Sequence, residues 1–340
     1  MTTSRLPSGG EYGSDRNGLV WGFLFDPGAG PREVDSDEAA AALGAPIPEG
    51  TFYWLHFSQA NAGAERWLRQ NARLPDAFFE ALHAPGGGTR VELDEEALIA
   101  VIHDVLFDFQ HEVSDVSSLT LSVRPGVMIS ARLKPLRSVE RLREKVKAGG
   151  VCRSPVELLA LLLQNQADVL TEIVRKSSDQ VDTIEDSVLT RQIGTNRASL
   201  SSLRRTLVRL QRLLAPEPAA LFRLLNRPPP WIHDDDVQDL RRSAEEFSAA
   251  VSDCAALVER AKLIQEELAA MVNEQTNRSL FLLTFVTVLL LPFNVVGGLF
   301  GMNVGGIPLA QDPTGFWIIV VVVTALTALA ANILIRNLRR

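Results

Sequence analysis

Two long apolar runs close the chain, residues 279–300 and 316–335, and neither contains a charged side chain. At about 1.5 Å of rise per residue, each is long enough to cross about 30 Å of hydrocarbon as a helix. The pattern therefore predicts two membrane spans joined by a short loop, 301–315. A buried hairpin of a soluble domain is the competing reading, but such helices seldom run so far without a charge. Arg278 precedes the first span, Arg336, Arg339 and Arg340 follow the second, and the loop has no Lys or Arg. This asymmetry places both termini in the cytoplasm. The polar start over 1–17 has no signal-like pattern, so the sequence ahead of the first span is expected to stay inside.

Upstream, the periodicity changes twice. Residues 1–16 are rich in Ser, Gly and Thr and are expected to be disordered. Over 17–150, short β-branched and aromatic runs (19–25, 51–57, 97–107, 119–123, 127–131) are mixed with helical stretches at 62–70, 75–83 and 136–146. This predicts an α/β domain with one sheet. Gly149 and Gly150 break the chain, and Ser154-Pro155-Val156-Glu157 is a capping box with Pro at the first helical position. The helix it starts is expected to reach about Leu189. A second should run from about Asn196 to Leu214, ahead of Pro216 and Pro218. After Pro228, Pro229 and Pro230, the carboxylates of Asp234, Asp235 and Asp236 sit where a helix N-terminus favours negative charge. No Pro then intervenes before Pro292 and no Gly before Gly297, so one helix should run from cytoplasm through membrane. It would project roughly 65 Å below the bilayer, a length that needs neighbouring helices. The expected class is an α+β membrane protein with an N-terminal α/β cytoplasmic domain (17–150), long stalk helices (151–278), two C-terminal transmembrane helices and a cytoplasmic tail (336–340).

Along that helix, positions Asn294, Thr287, Leu280, Asn273, Glu266 and Glu259 recur by sevens, interleaved with Gly298, Leu291, Thr284 and Asn277. The combined period of about 3.5 is that of helices packed round a common axis. Polar side chains on one face of a spanning helix usually avoid lipid, so Asn277, Thr284, Thr287 and Asn294 predict a pore-lining face with Gly298 at its outer end. Leu280 and Leu291 are either constrictions that close by dewetting or packing rungs. Each Thr alone is equally explained by a bond to its own backbone. Asn273, Glu266 and Glu259 decorate an inner mouth or lie on a solvated face. One chain with two spans cannot enclose a water path, so the pore needs several copies. Pro292 cannot donate to Val288 and should bend or loosen the span, as is tolerated beside a cavity. The C-terminal end of the first span, with its partial negative charge, favours cations at the outer mouth. Asp312 would add carboxylates there if the loops assemble symmetrically, or would simply be solvated. In the second span Thr324, Ala328 and Asn332 form a small-residue face that could pack on the pore helix.

Charge and chemistry narrow the function. The formal net charge is −7, and removing residues 279–340, which hold three arginines and Asp312, leaves −9 on the remainder. Such a domain gives no reason to expect nucleic acid. It suits attraction of cations, although ordinary solubility explains any one carboxylate as well. Cys152 and Cys254 stand apart without a C-x-x-C partner, which argues for a reducing compartment and against structural zinc. No H-E-x-x-H, Walker or G-x-S-x-G string occurs, and Gly86-Gly87-Gly88-Thr89-Arg90 lacks the lysine a phosphate loop needs, so no enzyme is expected. His103, Asp104, Asp108 and His111 are a local group of candidate metal ligands, but on a strand His103 and Asp104 face opposite sides. His233, beside three aspartates, is better explained by helix capping.

The layout as a whole, together with Gly301-Met302-Asn303 at the end of the first span, resembles the CorA family of divalent-cation transporters. The continuation Val304-Gly305-Gly306-Ile307-Pro308 resembles its ZntB branch, whose members are described as zinc transporters. Loops of the magnesium channels usually carry more aromatic and acidic residues after the Asn. The resemblance implies a funnel-shaped homopentamer in the inner (plasma) membrane, with the first span and its long helix lining the axis and the second span outside. It also implies that Gly301, Met302 and Asn303 form the outer selectivity ring, where Asn303 amides and backbone carbonyls contact an incoming ion. Neutral oxygen donors suit a hydrated divalent cation. They do not suit inner-sphere zinc, which prefers imidazole and thiolate, and the spans and loop hold neither His nor Cys. The expected cargo is thus a divalent cation, zinc first, with magnesium, cobalt, nickel or cadmium as alternatives. It would move down its own gradient or coupled to protons, with no resident cofactor. The competing readings are a magnesium/cobalt channel of the same fold and a membrane-anchored cytoplasmic metal sensor.

Overall fold

The computed structural model describes residues 13–84, 88–94, 96–106, 116–189, 196–302, 305–309 and 312–338. The chain divides into two compact units, Met1–Ile264 and Gln265–Arg340.

The first unit is built on one seven-stranded sheet: β1 (Leu19–Phe25), β2 (Arg32–Val34), β3 (Phe52–Ser58), β4 (Arg90–Asp94), β5 (Ala97–Val105), β6 (Val116–Arg124) and β7 (Val127–Arg132). The order is β2-β1-β3-β7-β6-β5-β4, and every neighbouring pair is antiparallel except β3 and β7, which run parallel from Tyr53↔Val127 to Ser58↔Arg132. Side-chain alternation sends each strand's residues into two cores. Trp21, Phe23, Trp54, Leu98, Ala100, Ile102, Leu121 and Met128 enter one. Leu55, Phe57, Ala97, Ile99 and Ile129 enter the other. Helices α1 (Ser36–Leu43), α2 (Ala62–Asn71) and α3 (Asp76–His83) cover the second core through Ala39, Leu43, Trp67, Leu68 and Phe78. The first core is covered by α4 (Arg137–Lys147), α5 (Pro155–Leu189), α7 (Pro216–Leu225) and the start of α8 (Asp234–Phe300). Covering on both faces explains why β5 is buried at all of its positions and reads as a continuous apolar run from Ala97 to Ile102 rather than an alternating one.

Beyond the sheet, α5, α6 (Asn196–Leu214) and α8 bury Val181, Ile184, Leu207, Leu210, Phe247 and Leu257. Arg260 of α8 pairs with Asp182 (2.6 Å) and Glu185 of α5. Cys254 of α8 donates to the Leu207 carbonyl of α6 at 3.7 Å. Both cysteines are buried free thiols, and burial pushes Cys152 up to about 12 and Cys254 to about 11. Half of the expected capping box forms at the head of α5: Glu157 N donates to Ser154 Oγ (2.9 Å), while the Glu157 carboxylate accepts from Arg153 N (2.6 Å), one residue ahead of the cap.

Strands β2 and β4 and helices α1 and α7 depart from expectation. Helix α1 is capped by Asp35, whose carboxylate accepts from the backbone of Asp37 and Glu38. Helix α7 begins at Pro216, so Pro216 and Pro218 start a helix rather than merely ending α6. Both prolines sit in the first turn, where a missing N–H costs nothing because no carbonyl waits for it.

The second unit holds the rest of α8 and α9 (Gly315–Leu338), and both helices are long and apolar enough to cross a membrane. Helix α8 continues through Pro292, leaving the Val288 carbonyl without its intrahelical donor. On α9, Val323 is buried and Ile319, Thr327, Ala330 and Ala331 are half-buried, whereas Thr324, Ala328 and Asn332 are exposed. Within one chain the covered face is therefore the stripe through Val323, a rotation away from the small-residue face anticipated for packing. Branched side chains at 319 and 323 bury more apolar surface than Ala and Asn offer.

Candidate ion-conduction path

Helix α8 presents three faces in its apolar segment. Phe281, Phe285, Val288, Leu289, Pro292 and Val296 are half-buried. Roughly a third of a turn away at about 100° per residue, Asn277, Leu280, Thr284, Thr287, Leu291, Asn294 and Gly298 are all exposed. The third face, with Leu282, Leu283, Val286, Leu290 and Phe293 exposed, is wholly apolar. The polar seam and the apolar face are both uncovered, but only the apolar one suits contact with lipid.

Inside the seam, Thr284 Oγ1 donates to the Leu280 carbonyl (2.9 Å) and Thr287 Oγ1 to the Leu283 carbonyl (2.8 Å). These bonds use the hydroxyl hydrogens and leave the oxygen lone pairs turned outward, so each Thr presents an acceptor suited to a hydrated cation. Leu280 and Leu291 lie in the same exposed stripe, 56% and 57% accessible. Further down α8, Asn273, Glu266 and Glu259 are exposed, and Lys262 Nζ lies 3.5 Å from Glu259 in a loose surface pair.

Past Phe300 the helical bonding persists for one residue, with Gly301 N donating to Gly297 O at 2.9 Å. An added Cβ at Gly301 would lie 2.9 Å from that same oxygen, so the position favours glycine. Met302 is exposed, and Asn303 lies outside the described residues. Asp312 accepts from Thr314 N (2.9 Å) and Thr314 Oγ1 (2.7 Å), and its own carbonyl accepts from Gly315 N (3.0 Å), forming the turn into α9. The Thr314 bonds hold the Asp312 carboxyl below its ordinary value, so it is anionic at neutral pH.

The candidate metal group in the first unit does not come together. His103 and Asp104 lie on opposite sides of β5. Asp104 is buried and accepts from Ser138 N and Ser138 Oγ, both at 2.8 Å, so it caps the first turn of α4. Burial raises its carboxyl to about 6 against the opposing hydrogen bonds of Ser138. His103 instead meets Glu217 of α7: its backbone N donates to Glu217 Oε1 at 2.5 Å, and its Nδ1 lies 3.6 Å from the same oxygen. Gln166 of α5 donates to both the His103 carbonyl and Glu217 Oε2. Asp108 and His111 lie outside the described residues, and among the described residues no group of three or more His, Cys, Asp or Glu is poised to hold a metal. His233 is exposed, and its carbonyl accepts from Val237 N in the first turn of α8. Asp236 is buried 3.6 Å from Arg153.

Glu217 was not foreseen, because a glutamate between two prolines carries no sign of burial. It is fully buried, and loss of hydration pushes its carboxyl up from 4.5 to about 7. Between those values the folded state holds a proton that the unfolded chain has released. The group's stabilising contribution is therefore complete below 4.5 and is lost as pH rises through about 7, by about 3 kcal/mol. Glu217→Gln keeps the acceptor for His103 and removes the proton. Urea unfolding of full-length protein in detergent should thus show wild type losing stability relative to the variant from pH 4.5 to 7.5, and parallel pH profiles would refute the assignment.

The comparisons fit this architecture. A family model described as "CorA-like Mg2+ transporter protein" matches residues 49–336. The protein named "Divalent cation transporter CmaX" from Pseudomonas aeruginosa is 29% identical over 306 residues, covering 89% of this chain and 91% of that protein. The "Zinc transport protein ZntB" from Pectobacterium carotovorum subsp. carotovorum is 23% identical over 264 residues, covering 78% and 80%. The solved structure of full-length CmaX superposes with a TM-score of 0.80 at 27% identity, covering 96% of this chain and 99% of that one.

Proposed function

The chain belongs to the CorA-like Mg2+ transporter family, a family of transporters rather than enzymes, and from that membership we propose that it carries divalent cations, zinc first, through an axial pore shared by a homopentamer in the inner membrane. The observation that carries this reading is the uncovered seam of α8: Asn277, Thr284, Thr287 and Asn294 are exposed in the single chain on a face that suits water and not acyl chains. Several copies turning that face inward give each side chain a watery partner. In this arrangement Gly301, Met302 and Asn303 ring the outer mouth with Asp312 nearby, Leu280 and Leu291 are the dewetting constrictions, and Asn273, Glu266 and Glu259 line the inner approach. Both termini lie in the cytoplasm, by the distribution of Arg278, Arg336, Arg339 and Arg340.

Zinc is favoured by the loop over 304–308 and by the name of the ZntB relatives. A magnesium channel of the same fold is the second reading. It is favoured by the donor set, because a path with no imidazole or thiolate has no inner-sphere preference for zinc. The two separate in liposomes holding the purified protein and an ion-sensitive dye, with and without a pH gradient. Zinc should enter, faster when protons can accompany it, and entry of magnesium alone would overturn the zinc assignment.

A further inference from the structure

The first unit contains an open cleft of about 860 Å³ that the conduction path does not use, far from the polar seam in sequence. Its volume falls within the range of small-molecule sites. Its lining includes Arg73 and Arg124, Trp231, and Pro155 and Val156 at the head of α5. Arg73 follows α2 in the left-handed region (φ 43°), a conformation unusual for a side chain of its size. Arg124 holds that turn, donating through Nη2 to the Ala72 carbonyl (2.8 Å) and through Nη1 to the Arg73 carbonyl (3.3 Å). Among the described residues neither guanidinium forms an ion pair, and proximity to Arg73 joins burial in lowering the Arg124 pKa. Two like charges held side by side at a cleft wall, without a carboxylate between them, leave a place for an anion with several oxygens.

The remaining charges in the cleft are disposed differently. Arg153 is committed to Glu157, Asp236 and Asp239. Glu49, Glu96 and His233 are exposed. They leave the Arg73–Arg124 corner as the place where an anion is favoured. The lining also has apolar members: Trp231 is half-buried against the core, and Pro48, Pro75 and Pro125 line the same space. An indole face accepts a stacked aromatic ring. We propose that this cleft binds a nucleotide, with its phosphates on Arg73 and Arg124 and its base against Trp231. It is a ligand site on the cytoplasmic side, independent of which cation the pore carries.

The test uses full-length protein in detergent with divalent ions chelated, so that metal bridging contributes nothing, and titrates ATP, AMP, adenosine and pyrophosphate while reading calorimetric heat and tryptophan fluorescence. ATP should bind and quench the fluorescence, with adenosine and pyrophosphate each weaker by about tenfold or more. Arg73→Glu should abolish ATP binding; its side chain makes no hydrogen bond among the described residues, so the fold should tolerate the change. Trp231→Ala should weaken ATP and leave pyrophosphate unchanged. No nucleotide binding at millimolar concentration, ATP affinity untouched by Arg73→Glu, or pyrophosphate binding as tightly as ATP would each overturn the proposal.

Discussion

Asn303→Ala should abolish divalent-cation flux, lowering the initial rate into liposomes by about tenfold or more while leaving insertion and assembly intact. The expected size follows from where the residue stands. A hydrated ion arriving from outside must exchange bulk water for fixed oxygen donors, and a ring of side-chain amides supplies them without the cost of stripping the first hydration shell. Alanine offers no acceptor, so in the proposed ring every subunit would lose its donor at once. The change is small in volume, and Asn303 follows α8 in the chain, which ends at Phe300. If the hairpin were only an anchor for a cytoplasmic sensor, the variant would carry ions like wild type. Asn303→Gln, which keeps the amide, should retain measurable flux and separates chemistry from disruption.

Asn294→Leu is expected to have the next largest effect, again about tenfold or more in flux, because in the proposed pore it would turn a polar rung into a dry one beside Leu291 and lengthen the apolar stretch. The direction of its stability change is as informative as the flux. An asparagine facing acyl chains is costly, and replacing it with leucine would stabilise the protein and spare transport. An asparagine facing a shared channel gains nothing from the exchange, and conduction stops. Phe293→Leu, on the neighbouring apolar face that is 47% exposed in the single chain, should leave flux near wild type.

Much of this architecture is local and therefore legible in the sequence. The Ser154 to Glu157 segment starts α5, Asn196 and Leu214 bound α6, and α8, free of Pro before Pro292 and of Gly before Gly297, runs on through both to Phe300. The two spans announce themselves by uncharged length. What was not legible depends on partners distant in the chain. The parallel pairing of β3 with β7 joins segments separated in sequence by β4, β5 and β6. Asp104 has its meaning only once Ser138 is beside it, and Glu217 only once β5 and α5 close over it. Prolines misled at α7, since a residue that ends one helix also opens the next. On α9 the small residues Ala328 and Thr324 suggested the packed face, yet the branched Ile319 and Val323 are the ones covered.

In the proposed pore, identical chains turn the Asn and Thr edge of α8 toward common water. Single cysteines placed at 284, 287, 291 and 294, and at 282, 286, 290 and 293, in a Cys152→Ala, Cys254→Ala background, test this in intact membranes with a charged, water-soluble thiol reagent. The seam positions should react, and divalent cations should slow them, while the apolar-face positions stay unmodified. Modification at 286 and 290 with none at 287 and 294 would contradict the account.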